Sequence, residues 1–186
     1  MSVIPAGTEV PYTVTYLSMD TRPSAAAPAL PADVRLEVAQ NPPVWFFLSL
    51  YGAVGRDYEW VDKFDDDPED LRAYLQHPDM QLTTACRHGW PQGFFLLDWR
   101  VPGICDLAYF GLVPEAVGTG IGAKLLATAI QAGWARPVVT RMTLNTCTLD
   151  HPRALQVYQN AGFRPVRTEE HVRVLTRDRD PARFPA

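Results

Sequence analysis

The stretch Leu112-Val113-Pro114-Glu115-Ala116-Val117-Gly118-Thr119-Gly120-Ile121-Gly122-Ala123 carries the strongest chemical signal in the chain. A hydrophobic strand ends, a short loop turns, and a helix opens at three alternating glycines. A helix N-terminus presents unpaired N–H groups and the positive end of its dipole, so it suits a phosphate. Glycines let that phosphate come close to the backbone. Two phosphate motifs do not fit. A P-loop needs GxxxxGK[ST], but Ala123 stands five residues after Gly118, and Leu125 follows Lys124. The dinucleotide pattern G-x-G-x-x-G/A fits Gly118, Gly120 and Ala123. It also needs an acid at the tip of the next strand, and Val138–Thr143 holds none. Hairpins also precede the loop where that pattern needs a parallel pair. The remaining plain alternative is a helix whose glycines only allow close packing.

Other side chains with chemical potential lie on both sides of this loop. Tyr158 follows Ala154 by four residues and Leu155 by three, a spacing that suits core packing. Its phenol, with an ordinary pKa of about 10, could instead donate a proton at pH 7. Asp106 alternates with Ala108 and Phe110 on one strand face, as a base or as a solvated strand-end acid. Asp57, Glu59 and Asp62 form a second acidic group among Tyr58 and Trp60. The run Asp65-Asp66-Asp67 lacks calcium-loop spacing and reads as helix capping. Cys86, Cys105 and Cys147 form no CxxC pair, so neither a disulfide framework nor a metal site is expected.

The elements that must position these groups follow from pattern. Tyr12–Leu17 alternates as a strand, and 21–33 is a Pro/Ala-rich surface loop. Asn41 as N-cap with Pro42 and Pro43 predicts a helix over Val44–Tyr51, broken by Gly52 and Gly55. Arg56–Phe64 fits neither period. Asp67 and Pro68 open a helix that ends near His77. Gln81–Arg87, Gly93–Arg100 and Ile104–Leu112 predict an antiparallel meander, with the last strand central because it is apolar on both faces apart from Asp106. A helix over Gly118–Trp134, a strand over Val138–Asn145, a helix over Asp150–Asn160 and a strand over Glu169–Leu175 complete the order. The Arg/Asp tail beyond them reads as solvated.

The whole is one domain over residues 1–186, with 47% hydrophobic and 20% charged residues. The net charge, 17 − 21 = −4, argues against nucleic-acid binding, which needs a basic stripe. No apolar run is long enough for a membrane span. No signal peptide is visible over Met1–Val10, so the expected location is cytoplasmic.

The run from Leu112 to Leu126, with Gly118, Gly120 and Gly122 ahead of Leu125-Leu126, resembles motif A of the GCN5-related N-acetyltransferases. The run from Thr148 to Phe163, with Ala154, Tyr158, Gly162 and Phe163 in frame, resembles their motif B. Order and separation match, and together they cover about 104–163. The Thr146-Cys147-Thr148-Leu149-Asp150-His151-Pro152 wording is similar to a bacterial subgroup. Two positions depart from the family pattern. Val117 stands where motif A begins with Gln or Arg, a contact made through the main chain. His151 stands where motif B has an Asn that orients the pantetheine arm.

The resemblance implies an α+β fold with a mixed, mostly antiparallel sheet flanked by helices, and acetyl-CoA as co-substrate without a metal. It implies cofactor contacts at Leu112, Val113, Val117, Gly118, Thr119, Gly120, Ile121, Gly122, Ala123, Asn145, His151 and Tyr158. Tyr158 would then be the general acid, and Asp106 is the first candidate base. The implied partner is a small-molecule amine, with a protein N-terminus or lysine as second choice; a homodimer is compatible. A non-catalytic acyl-CoA-binding module and a purely structural protein are the readings outside the enzyme class.

Overall fold

The computed structural model describes residues 3–180. It contains strands β1 (Glu9–Met19) and β2 (Val34–Val38), then helices α1 (Val44–Gly55) and α2 (Pro68–Leu75). A meander of β3 (Met80–Arg87), β4 (Trp90–Asp98) and β5 (Ile104–Leu112) follows. Then come α3 (Ile121–Gly133), β6 (Arg141–Cys147), α4 (Ala154–Asn160) and β7 (Arg164–Val174). The seven strands form one sheet in the order β2-β3-β4-β5-β6-β1-β7, with β5 at its centre as its apolar composition predicts. All neighbours are antiparallel except β5 and β6. The α+β expectation holds.

Two cores form, one on each face of the sheet. Phe47, Leu50 and Val54 of α1 join Leu71 and Leu75 of α2 over Leu82, Phe94 and Leu96. On the other face Ile121, Leu125, Leu126 and Ile130 of α3 pack on Leu17, Phe95, Leu97, Leu107 and Phe163. α3 shows its apolar stripe in sequence because only one of its sides meets the sheet.

The start of α2 follows its sequence closely. Asp67 is the N-cap, accepting from the N–H groups of Glu69 at 2.9 Å and Asp70 at 3.1 Å, with Pro68 in the first turn. The start of α1 does not. Pro43 holds the cap position without a side-chain hydrogen bond, and Asn41 sits outside it at φ 47°. Nor do Gly52 and Gly55 break α1, which runs through both. They are there for packing: a Cβ on Gly55 would lie 2.1 Å from Cβ of Trp60. Strand β2 was not expected from the sequence; it pairs with β3 from Val34↔Arg87 to Val38↔Thr83.

Two features of β5 shape the site. Leu96 of β4 pairs with Tyr109 and Leu97 with Leu107, leaving Ala108 as a bulge. The bulge switches the alternation of side chains. Cys105 and Leu107 face α3, Tyr109 faces α1, and Phe110 and Leu112 face α3 again. The second feature is a short junction. β5 pairs with β6 only from Ile104↔Arg141 to Asp106↔Thr143, and beyond that the strands separate.

Candidate acetyl-transfer site

Where β5 and β6 part, a cavity of about 460 Å³ opens. All residues from Leu107 to Leu112 line one side, so backbone groups that would have bonded β6 face open space instead. The opposite side is built by Asn145 of β6, by Asp150, His151 and Arg153 of the following turn, and by Ala154, Val157 and Tyr158 of α4. Val117, Gly118, Gly120, Gly122 and Ala123 close a third side, and Val54, Tyr58 and Trp60 a fourth.

The glycine side is a cradle. Gly118 and Gly120 both have φ of 82°, and a Cβ on either would meet no protein atom within 4 Å. Gly120 is the N-cap of α3, which has no side-chain cap and no acid in its first turn. The first N–H groups of a helix have no partner within it. At α2 the protein satisfies them with Asp67, but at α3 it leaves them to whatever enters the cavity. This donor set and open space fit a pyrophosphate.

Most of the expected cofactor contacts therefore meet in one place: Leu112, Val117, Gly118, Gly120, Gly122, Ala123, Asn145, His151 and Tyr158 all line the cavity. Three side chains turn away from it. Val113 is buried in the α1 core, and Ile121 in the α3 core. The Thr119 hydroxyl donates to the Ala116 carbonyl at 2.7 Å.

Tyr158 is half-buried. Its ring meets Phe110 and Phe163 edge-on, at 6.3 and 6.4 Å between centroids. Burial, followed by the nearby negative charge of Asp150, pushes its phenol above the usual range, so it stays protonated at neutral pH. No hydrogen bond holds its hydroxyl among the described residues. Packing and acid chemistry are thus compatible here: the ring is held by Phe110 and Phe163, and Tyr158 lines the cavity.

Asp106 must be corrected. It precedes the bulge, so it does not share a face with Phe110, and it does not line the cavity. Its carboxylate accepts from the Thr143 hydroxyl at the β5–β6 junction, and burial raises its pKa. The second acidic group is also engaged elsewhere. Arg173 donates to both oxygens of Asp62, at 2.9 and 2.7 Å, and to the Glu59 carbonyl. Glu59 forms a buried ion pair with Arg179, whose guanidinium also reaches the Asp57 carbonyl. Arg177 donates to the carbonyls of Gly55 and Tyr58. The tail expected to be solvated therefore pins the loop that carries Tyr58 and Trp60; residues 181–186 lie outside the described ones.

Asp150 also departs from expectation. Arg153, not Asp150, is the N-cap of α4. Asp150 instead accepts from Thr146 Oγ1 at 2.8 Å, from the Cys147 N–H at 2.9 Å, and from Trp60 Nε1 at 3.0 Å. The last bond ties two sides of the cavity together. His151 Nδ1 accepts from the Arg153 N–H at 3.1 Å, and burial with the Arg153 charge lowers its pKa. His151 is thus a neutral ring at pH 7. Among the described residues no cluster of His, Cys, Asp or Glu could hold a metal ion, and no helix is long and apolar enough to cross a membrane.

Residues 47–163, more than half of the chain, match the model of the acetyltransferase (GNAT) family. The chain belongs to that family. Solved structures agree on the fold. A GCN5-related N-acetyltransferase from Kribbella flavida is 18% identical, with a TM-score of 0.58, over 92% of this chain and 58% of that one. A GCN5-related N-acetyltransferase from Sphaerobacter thermophilus is 16% identical, with a TM-score of 0.59, over 94% and 53%. An aminoglycoside acetyltransferase from an uncultured soil metagenomic sample is 14% identical, with a TM-score of 0.52, over 70% and 88%. The chain thus spans little more than half the length of the first two. No curated protein sequence matches it.

Proposed function

We propose that the protein transfers an acetyl group from acetyl-CoA to the nitrogen of a small-molecule amine. The observation that carries this reading is the meeting of three features on one cavity. They are the uncapped glycine start of α3, the parted backbone of β5, and Tyr158. In this reading the N–H groups from Val117 to Ala123 hold the pyrophosphate. Backbone groups of β5 near the bulge polarise the thioester carbonyl. The amine nitrogen attacks the carbonyl carbon, a C–N bond forms, and the C–S bond breaks. The nitrogen attacks as the free base, after its ammonium proton has passed to water; the departing sulfur takes the phenol proton of Tyr158, and the nitrogen's surplus proton returns through water to the phenolate. Burial suits Tyr158 to this role because it keeps the acid charged with its proton until a thiolate appears.

Thermal melts with acetyl-CoA, followed by a thiol-release screen over small amines and lysine or N-terminal peptides, test the reading. At about 100 times Kd the ligand should stabilise the fold by about 2.7 kcal/mol. Absence of any shift would overturn it. A shift without thiol release on any amine would favour an acyl-CoA-binding module.

A further inference from the structure

We infer that Asp150 is the recognition point for the acceptor's charged nitrogen, and that the acceptor is a small primary ammonium carried on a flat apolar body. The inference rests on the acetyl-transfer reading and narrows its substrate. It concerns binding alone; no proton transfer is assigned to Asp150.

The geometry begins with the carboxylate itself. Two oxygens offer about four acceptor positions. Three are filled: one on Oδ1 by Trp60, and two on Oδ2 by Thr146 and Cys147. One position on Oδ1 is left, on a residue that lines the cavity. No cation neutralises Asp150: it forms no ion pair among the described residues. Arg153, the nearest basic residue along the chain, lines the same cavity but makes no ion pair with Asp150, and His151 is held neutral with Nδ1 already bonded. An unpaired charge beside an apolar wall is costly unless a counter-charge joins it. A ligand ammonium supplies that charge and a donor together.

The surroundings define the rest of the ligand. The Trp60 ring stacks on Tyr51 at 5.2 Å and meets Tyr109 edge-on at 5.7 Å; Tyr58 meets His151 edge-on at 6.3 Å. Trp60, Tyr58 and Tyr109 also line the cavity, and aromatic side chains beside a carboxylate favour a cation next to a flat apolar group. The cavity, about 460 Å³, must hold the thioester arm as well, so the acceptor is small.

The test compares 2-phenylethylamine with 2-phenylethanol, which has the same body without the charge, by calorimetric titration at pH 7. CoA is present so that no transfer occurs, and each titration is repeated without it. The amine should bind the wild type at least about tenfold tighter than the alcohol, as charged hydrogen bonds allow. Asp150→Asn should bring that ratio below about threefold while leaving the alcohol's affinity in place. Equal binding of the two probes by the wild type, or binding of neither, overturns the inference, as does an undiminished ratio in folded Asp150→Asn. Should that variant fail to fold, Trp60→Phe takes its place. It frees Oδ1 of its protein donor, so the ratio should hold or rise, and its loss refutes Asp150 as the anchor. A retained ratio in a protein that transfers no acetyl group would overturn the transfer reading and leave the recognition site standing.

Discussion

Replacing Gly120 by Ala separates what the glycine does for the fold from what it does for a ligand. Gly120 has φ 82° and ψ 0°, the left-handed region. An L-residue there costs about 1–2 kcal/mol. No protein atom lies within 4 Å of the added Cβ, so this backbone strain is the whole cost to the fold. For a chain of this size it lowers Tm by about 2–8 °C. The methyl points into space that the protein leaves open, in front of the uncapped helix start. If a pyrophosphate lies there, the acetyl-CoA Kd should rise at least about tenfold, or 1.4 kcal/mol, and further for Gly120→Val. Gly122→Ala is the control for the fold alone, since Gly122 also lines the cavity. Gly122 is inside α3 with an ordinary φ, and its Cβ would meet only Leu112 Cδ1 at 3.3 Å. That variant should keep its stability to within about 1 kcal/mol, since helix propensity offsets the crowding. Calorimetric titration and thermal melts on the same samples give both quantities. Wild-type acetyl-CoA affinity in folded Gly120→Val would refute the cradle.

Tyr158→Phe should lower kcat by about 10²-fold or more and leave acetyl-CoA affinity and Tm nearly unchanged, checked by thiol release and melts. Asp106 titrates with a raised pKa, so its contribution to stability is complete below the unfolded value, near 4, and is lost as pH rises through the folded value. Asp106→Asn should therefore raise Tm at pH 7–8, with the gap to wild type closing toward pH 4, and should leave turnover unchanged. Glu59→Gln breaks a pair whose side chains are 3% and 7% exposed, and should cost about 3–5 kcal/mol in a denaturant melt. The double variant Glu59→Met/Arg179→Met should cost less than that single change.

The sequence reveals the fold more readily than the site. Periodicity and turn residues place α2, α3 and the meander within a few positions, because local chemistry fixes them: Asp67 and Pro68 at one helix, Gly118 and Gly120 at the other. The glycine loop is legible for the same reason. Asp106 is misplaced because alternation assumes an unbroken strand, and Ala108 carries no mark of a bulge. The tail is misread because alternating Arg and Asp residues look alike whether they face water or a loop more than a hundred residues earlier. Its burial depends on Glu59 and on carbonyls that have no sequence signature. Asp150 is legible as a polar residue before a helix, but its bond to Trp60 crosses between segments that only the fold brings together.

The strand order also sets an order of assembly. The β3–β4–β5 meander and the two helices before it are made of near neighbours in sequence, which close small loops and form early. β1 has no such neighbour: its partners are β6 and β7, with Val14 beside Cys147 on one side and Glu169 on the other. It leaves the ribosome well before both of its partners and is among the last strands to be paired. Until then its apolar alternation is exposed to other chains. The cavity lies at the seam between the early half and the late half. Conditions that slow the docking of β1 should thus yield a chain with a formed meander and no binding site, and such a chain would aggregate through its amino-terminal strand.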